Sequence, residues 1–291
     1  MPNIHIVTDS SADFANNHFV EQYAISVLPN RVAFDGSSYR SGIDLSAEEA
    51  LRLIEAQRKL PRIIPHTQNE YFQVFSSLVR KVDAIISIHP SRYLSESWHN
   101  AEAAARELVG HIPIHVIDSG SISAGQAALV RVAAHGAQTA ADIDTLVRKV
   151  RSAVDRIYSV FYVETIDYLA QTNVMEPSHI ILGKMLDIKL ILTLDEGILK
   201  PIEKVKTRAQ AIDRLVEFAT EFTDIEEAVI LQHKTYMSEQ ARLLQDRLLA
   251  EFPGHYFPYT IYGTALGALL GADAVGLAIL ESELEEFNDG F

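Results

Sequence analysis

Short apolar runs alternate with longer stretches of helical periodicity through the first half of the chain. Residues 4–8, 84–88 and 112–117 are Ile/Val-rich runs, each closed by polar residues: Asp9-Ser10-Ser11, His89-Pro90-Ser91 and Asp118-Ser119. Residues 47–56, 70–82, 98–109 and 122–137 instead carry helical patterns. Strands alternating with helices, and turning polar at their C-terminal ends, predict a parallel sheet with ligand loops along one edge. The pattern changes after residue 141. A helix over 141–157 places Ile143, Leu146, Val147, Val150, Val154 and Ile157 on one stripe and leads into a second set of elements. There, residues 159–163, 228–232 and 255–261 predict strands. Residues 188–194 and 198–205 predict a hairpin about Asp195-Glu196-Gly197, and 207–222 and 238–251 predict amphipathic helices. The expectation is an α/β protein: a parallel-sheet N-terminal domain over 1–157, a mixed α+β C-terminal domain over 158–291, and a ligand tunnel between them.

The longest apolar stretch, 264–280, is interrupted by Asp273 and by Gly267, Gly271 and Gly276. A spanning helix needs about 20 apolar residues, so this stretch is expected to be buried core. The first residues lack a basic segment followed by a long apolar one, so no signal peptide is expected. Cysteine is absent, which excludes disulfides, thiolate nucleophiles and zinc–thiolate sites. Cytoplasm is the expected location. The net charge of −14 opposes nucleic acid and anionic membrane surfaces, and no cluster of Lys and Arg with interleaved aromatics offsets it.

Several chemistries lack their residues. No Gly-x-Gly-x-x-Gly follows a strand, and Gly183-Lys184 is followed by Met185 where a phosphate-binding loop needs Ser or Thr. Asp9 has Ser11 two residues on, where aspartyl-phosphate chemistry wants a second carboxylate. His111 and His115 fall about a strand and not on one helical turn, so no metal site is expected. No Gly-x-Ser-x-Gly elbow occurs; no catalytic residue and no cofactor is assigned.

Three strand-end loops are rich in hydroxyls: Thr8-Asp9-Ser10-Ser11, residues 91–97 and residues 118–123. Hydroxyls beside free amides at helix N-termini cradle anions, though each loop taken singly also reads as an ordinary helix cap.

The order of segments carries a resemblance. Ile6-Val-Thr-Asp-Ser-Ser-Ala-Asp13, Ile25-Ser-Val-Leu-Pro29, Tyr39-Arg40, Gly42 and Asp44 resemble the opening of the DegV family. Leu94-Ser95-Glu-Ser-Trp-His-Asn-Ala101 is similar to its Leu-Ser-Gly-Thr-Tyr-Gln-Ser-Ala segment, and Val116-Ile-Asp-Ser119 with Ser123, Gly125 and Gln126 to its next block. Phe161-Tyr-Val-Glu-Thr-Ile-Asp-Tyr-Leu169, Leu182-Gly183, Ile188-Lys189, Gly197, Lys204-Val-Lys-Thr-Arg208, Tyr262-Gly263, Gly267-Ala268 and Gly276 follow in order. The resemblance implies a two-domain carrier with a long-chain fatty acid between its domains, in some members presented to a separate fatty acid kinase. Carried over by position, Ser95 binds the carboxylate, with Thr67, Ser97 and His66 nearby and Asp9, Ser10 and Ser119 as further sheet-edge contacts.

The chain departs from the pattern at the head-group end. Ile63-Ile64 replace a hydroxyl pair, Glu96 a glycine and Ser97 a threonine; Asn173 replaces an arginine, Lys206 an arginine and Leu269 a histidine, and Ala272-Asp273 replace Pro-Gly. Burial of about fifteen CH₂ groups at about 0.8 kcal/mol each gives roughly 12 kcal/mol before binding costs. A neutral hydrogen bond nets about 0.5–1.5 kcal/mol. Lipid binding is therefore expected to survive these losses, while phosphoryl transfer, which depends on positioning and charge, is not. Two rivals are a regulatory or scaffolding module with a degenerate slot, and a small-molecule phosphotransferase or hydrolase using Asp9 and Asp118.

Overall fold

Ile4–Asp9 (β1) lies between two parallel neighbours because strands buried on both faces need apolar residues at every position. The computed structural model describes residues 2–16, 18–172, 174 and 176–283. After β1 come a short helix α1 (His18–Gln22), β2 (Ser26–Leu28), β3 (Arg31–Phe34), β4 (Ser37–Arg40), α2 (Ala47–Gln57), β5 (Arg62–Ile64) and α3 (Gln68–Leu78). Then follow β6 (Ala84–His89), α4 (Ser97–Glu107), β7 (Ile114–Asp118), α5 (Ala124–Ala137) and α6 (Ile143–Val154). β2-β1-β6-β7 form a wholly parallel sheet, as the strand–helix alternation predicts. β4-β3-β5 form a small antiparallel sheet for which no element is expected from the sequence.

The second half runs through β8 (Ile157–Val163), a 3₁₀ turn at Tyr168–Gln171, α7 (Pro177–Met185), β9 (Lys189–Asp195), β10 (Ile198–Val205), α8 (Arg208–Thr220) and β11 (Ile225–Gln232). It closes with α9 (Glu239–Glu251), β12 (Tyr259–Ile261), α10 (Thr264–Leu270) and β13 (Ala274–Glu281). The six strands order as β10-β9-β8-β13-β11-β12, antiparallel except for β11 with β12. Sequence and structure agree on the β9–β10 hairpin, whose turn places Glu196 and Gly197 at positive φ. They differ at 255–261, where the strand shortens to its last three residues.

The apolar stretch 264–280 is two elements. α10 ends at Gly271, where φ is +88° and a Cβ would stand 2.0 Å from the Tyr168 ring. β13 then runs buried through the middle of the larger sheet. Among the described residues no helix is long and apolar enough to cross a membrane.

α5 joins the two sheets. Residues 124–130 and 132–134 are all buried, so the helix has no solvent stripe over most of its length. Its small residues let it pack against β1 and β6 on one side and β8, β13 and β11 on the other. A second shared core gathers Phe34, Leu51, Ile54 and Ile122 from the first half with Phe161, Leu192, Tyr262 and Leu266 from the second. α10, packed on α2 and β5, forms part of that seam.

Candidate functional site

The loop from β6 to α4 carries Ser95 to the seam. Ser91 is buried and donates its hydroxyl to the carbonyl of Gly197 on the β9–β10 turn, 2.7 Å away. The amides of Leu94 and Ser95 both bond the Ser91 carbonyl, winding the loop into a tight turn. Ser95 Oγ then accepts the amide of Ser97 at 3.2 Å and donates to Ser97 Oγ at 3.0 Å. The first residue of α4 is thus capped from two residues upstream, because Glu96 at the N-cap position makes no side-chain cap. The positive end of the α4 dipole is directed at this point.

Ser95 faces a cavity of about 370 Å³ whose lining includes Ile63, Ile122, Ala265 and Leu269, with Arg62 and Arg92 as its cationic members. Ile122 and Ala265 belong to the shared core, and Ile63, Leu94 and Leu269 pack against it. The cavity therefore has a polar rim at the α4 N-terminus and an apolar floor continuous with the interior between the sheets. Arg92 is bound to Asp118 at 2.7 Å and lies over Trp98; Arg62 has no ion pair among the described residues. Glu96 also lines the cavity, at its mouth, where its side chain is 74% exposed and lies 3.7 Å from His99.

Behind Ser95 runs a buried polar chain. The Tyr71 hydroxyl stands 3.4 Å from His89 Nδ1, which donates to Asp9 Oδ2 at 2.8 Å. Asp9 Oδ1 also accepts the Ser11 amide and Asn30 Nδ2, and Ser87 bonds the far nitrogen of His89 at 2.7 Å. Asp9, Tyr71, His89 and Ser97 are all fully buried. Burial alone would raise the Asp9 carboxyl, but the hydrogen bond and charge of His89, with bonds from Ser11, outweigh it and hold it below its ordinary value.

The residues expected around the head group do not all converge. Thr67 is exposed, and its hydroxyl is used in a capping box with Glu70 at the start of α3. His66 points away, its ring bonded to the Pro29 carbonyl at 3.0 Å and lining a separate groove with Ser26 and Gln73. Both fall just before a helix, where satisfying free amides and turning the chain takes precedence over facing a cavity. Ser97 lies behind Ser95 rather than beside it. Ser10 accepts the Asn30 amide and lines a larger cleft of about 610 Å³ with Asp13 and Thr264. Ser119 folds back onto residue 121. Asp9 and Asp118 are held by His89 and Arg92 on strands separated by β6, and no metal-binding group forms among the described residues. Asn173 lies outside the described residues. Tyr71, His89, Arg62 and Arg92 are the site residues that the sequence does not single out; the partners of Tyr71, His89 and Arg92 are 18 to 80 positions away, which leaves no local pattern to read.

Comparison with known proteins agrees with this architecture. The family model described as "Uncharacterised protein, DegV family" matches residues 3–282. A DegV domain-containing protein of Caldanaerobacter subterraneus is 30% identical over 95% of this chain and 98% of its own. The structure of Bacillus subtilis DegV, described as a fatty acid binding protein, superposes with a TM-score of 0.82 at 26% identity, covering 97% of this chain and all of that one. A structure described as a fatty acid binding DegV family protein from Streptococcus agalactiae gives 0.87 at 23% identity, again over 97% of this chain and all of that one. With the family model spanning nearly the whole chain, and relatives matching from end to end, the chain belongs to the DegV family.

Proposed function

We propose that this protein binds one long-chain fatty acid, its carboxylate on Ser95 and its tail in the apolar interior between the two sheets. The observation that carries this reading is the cavity at Ser95, where a hydroxyl, a helix N-terminus and Arg62 meet hydrocarbon that continues into a core shared by both halves. The fatty acid binding described for the B. subtilis and S. agalactiae proteins supports it.

The polar partners fix the head, and the tail supplies most of the free energy. Ser95 Oγ already accepts the Ser97 amide, and the hydrogen it gives to Ser97 Oγ turns to the carboxylate when one enters the cavity. Arg62 adds positive charge at the rim and makes no ion pair of its own among the described residues, while the Glu96 carboxylate at the mouth is exposed to solvent. About 370 Å³ is small for a drug-sized ligand, since such pockets range over about 300–1,000 Å³. A long tail therefore continues inward by parting α10 from β5, the two elements that close the seam.

Binding, and not delivery for phosphorylation, is the function we assign. Ile63 and Leu269 line the cavity as hydrocarbon, and Lys206 stands exposed just before α8 in place of the resemblance's arginine. Extraction of the purified protein followed by mass spectrometry tests the reading. Bound fatty acid supports it, and polar small molecules in its place reject it.

A further inference from the structure

We infer that the cleft beside Asp13 is a second binding site, taking a small primary amine with an apolar body, its ammonium held by Asp13 and Thr264. The cleft shares no lining residue with the cavity at Ser95, and the inference does not depend on what that cavity holds.

At about 610 Å³ this cleft is the larger of the two. Its walls come from the loop after β1, from α1, from the start of α2, and from β12 with the start of α10. Asp13 ties them together: its Oδ2 accepts the Ser123 hydroxyl at 2.5 Å and the Gly263 amide at 2.8 Å. Oδ1 makes no hydrogen bond among the described residues. It lies against Gly263, where a Cβ would stand 2.4 Å away, so only glycine permits the approach. Thr264, the next residue, is 1% exposed and lines the same cleft, and its Oγ1 has no partner among the described residues. Buried polar groups without partners are rare and call for an explanation. Two oxygens that lack a donor thus border Gly263.

The donor they lack is a cation. The lining contains Asp13 and Glu21 but no Lys, Arg or His. Burial outweighs the bonds from Ser123 and Gly263 and pushes the Asp13 carboxyl up to about 6, because no cation of the cleft offsets its charge. An anion finds no free amide here. Gly263 N is taken by Asp13, and the start of α2 is closed by the capping box of Ser46 with Glu49. A metal ion lacks its ligands, since no group of three or more His, Asp or Glu converges among the described residues. An alkylammonium carries three N–H donors and needs only acceptors. Phe14, Val20 and Ile43 offer hydrocarbon to its body.

The intact chain is titrated with phenethylamine at about pH 8, where Asp13 is ionised and an alkylamine still protonated, and backbone amide NMR resonances are followed. The Gly263 amide, bonded to Asp13, is expected to shift saturably. Phenethyl alcohol, of the same shape without the charge, is expected to bind at least about 10-fold more weakly. Asp13→Asn is expected to weaken the amine about 10-fold or more. Thr264→Val keeps the shape and removes the orphaned hydroxyl. It is expected to melt no lower than wild type, because that hydroxyl has no bond to lose, yet to bind the amine about 3- to 10-fold more weakly. This variant decides the matter if Asp13→Asn does not fold. No saturable shift, equal affinity for amine and alcohol, shifts centred on residues 95–97 instead of Gly263, or unchanged affinity in either folded variant overturns the assignment.

Discussion

Replacing Ser95 by alanine separates what the head contributes from what the tail contributes. The side chain makes two contacts, accepting the Ser97 amide and donating to Ser97 Oγ, and the proposed ligand takes the second. A hydrogen bond to a charged group is worth about 1.5–3 kcal/mol, so affinity falls by roughly 10- to 150-fold. About fifteen buried CH₂ groups still contribute roughly 12 kcal/mol, so the lipid is held but exchanges faster. Because affinity changes within one site fall mostly on dissociation, transfer of a fluorescent fatty acid from protein to vesicles accelerates by a similar factor. Loss of a helix cap costs about 1 kcal/mol in stability, small enough for urea denaturation to show a folded variant. An unchanged transfer rate refutes the head-group assignment. Complete loss of lipid with the fold intact refutes the division of energy between head and tail.

Other consequences concern the scaffold. His89→Ala leaves the Asp9 carboxylate buried without its partner and lowers stability by about 3–5 kcal/mol. Because His89 holds the Asp9 carboxyl below its ordinary value, wild-type stabilisation is present above the usual carboxylate range and lost on acidification. The gap between wild type and variant in urea therefore narrows as pH falls below about 4; a constant gap contradicts the pairing. Asp13 behaves oppositely. Burial raises its carboxyl to about 6 against the bonds from Ser123 and Gly263, so the folded state holds a proton that the unfolded chain releases near 3.8. Stability from this group falls as pH rises from about 4 to about 6, by about 2 kcal/mol, and Asp13→Asn flattens that stretch of the profile; a profile no flatter than wild type contradicts it. Gly271→Ala places a methyl against the Tyr168 ring at a φ of +88° and lowers stability by about 2–5 kcal/mol, to be read as a drop in Tm. A variant melting with wild type would show that the turn from α10 to β13 is looser than described.

The parallel sheet is legible because β1 and β6 are short Ile/Val runs closed by polar turns, and such strands have few alternatives. The small sheet is not, because β3, β4 and β5 are three or four residues long and include Arg31, Ser37, Ser38 and Arg62. In 264–280 nearly every residue is buried, which erases the periodicity that tells a helix from a strand. Gly271 marks the break only once the contact with Tyr168 is known. At the site, Ser95 is found by resemblance and stands in the cavity. Thr67 and His66 are nearby in sequence yet serve the α3 terminus and the Pro29 carbonyl. The Asp9–His89–Tyr71 chain joins β1, β6 and α3, and only the folded arrangement brings those elements together.

The most direct measurement is the lipid content of the protein as purified. Denaturation, organic extraction and mass spectrometry, calibrated against protein concentration, are predicted to return close to one long-chain fatty acid per chain. Protein free of fatty acid, which also fails to take one up when it is offered, would contradict a site built from Ser95 and the apolar seam behind it.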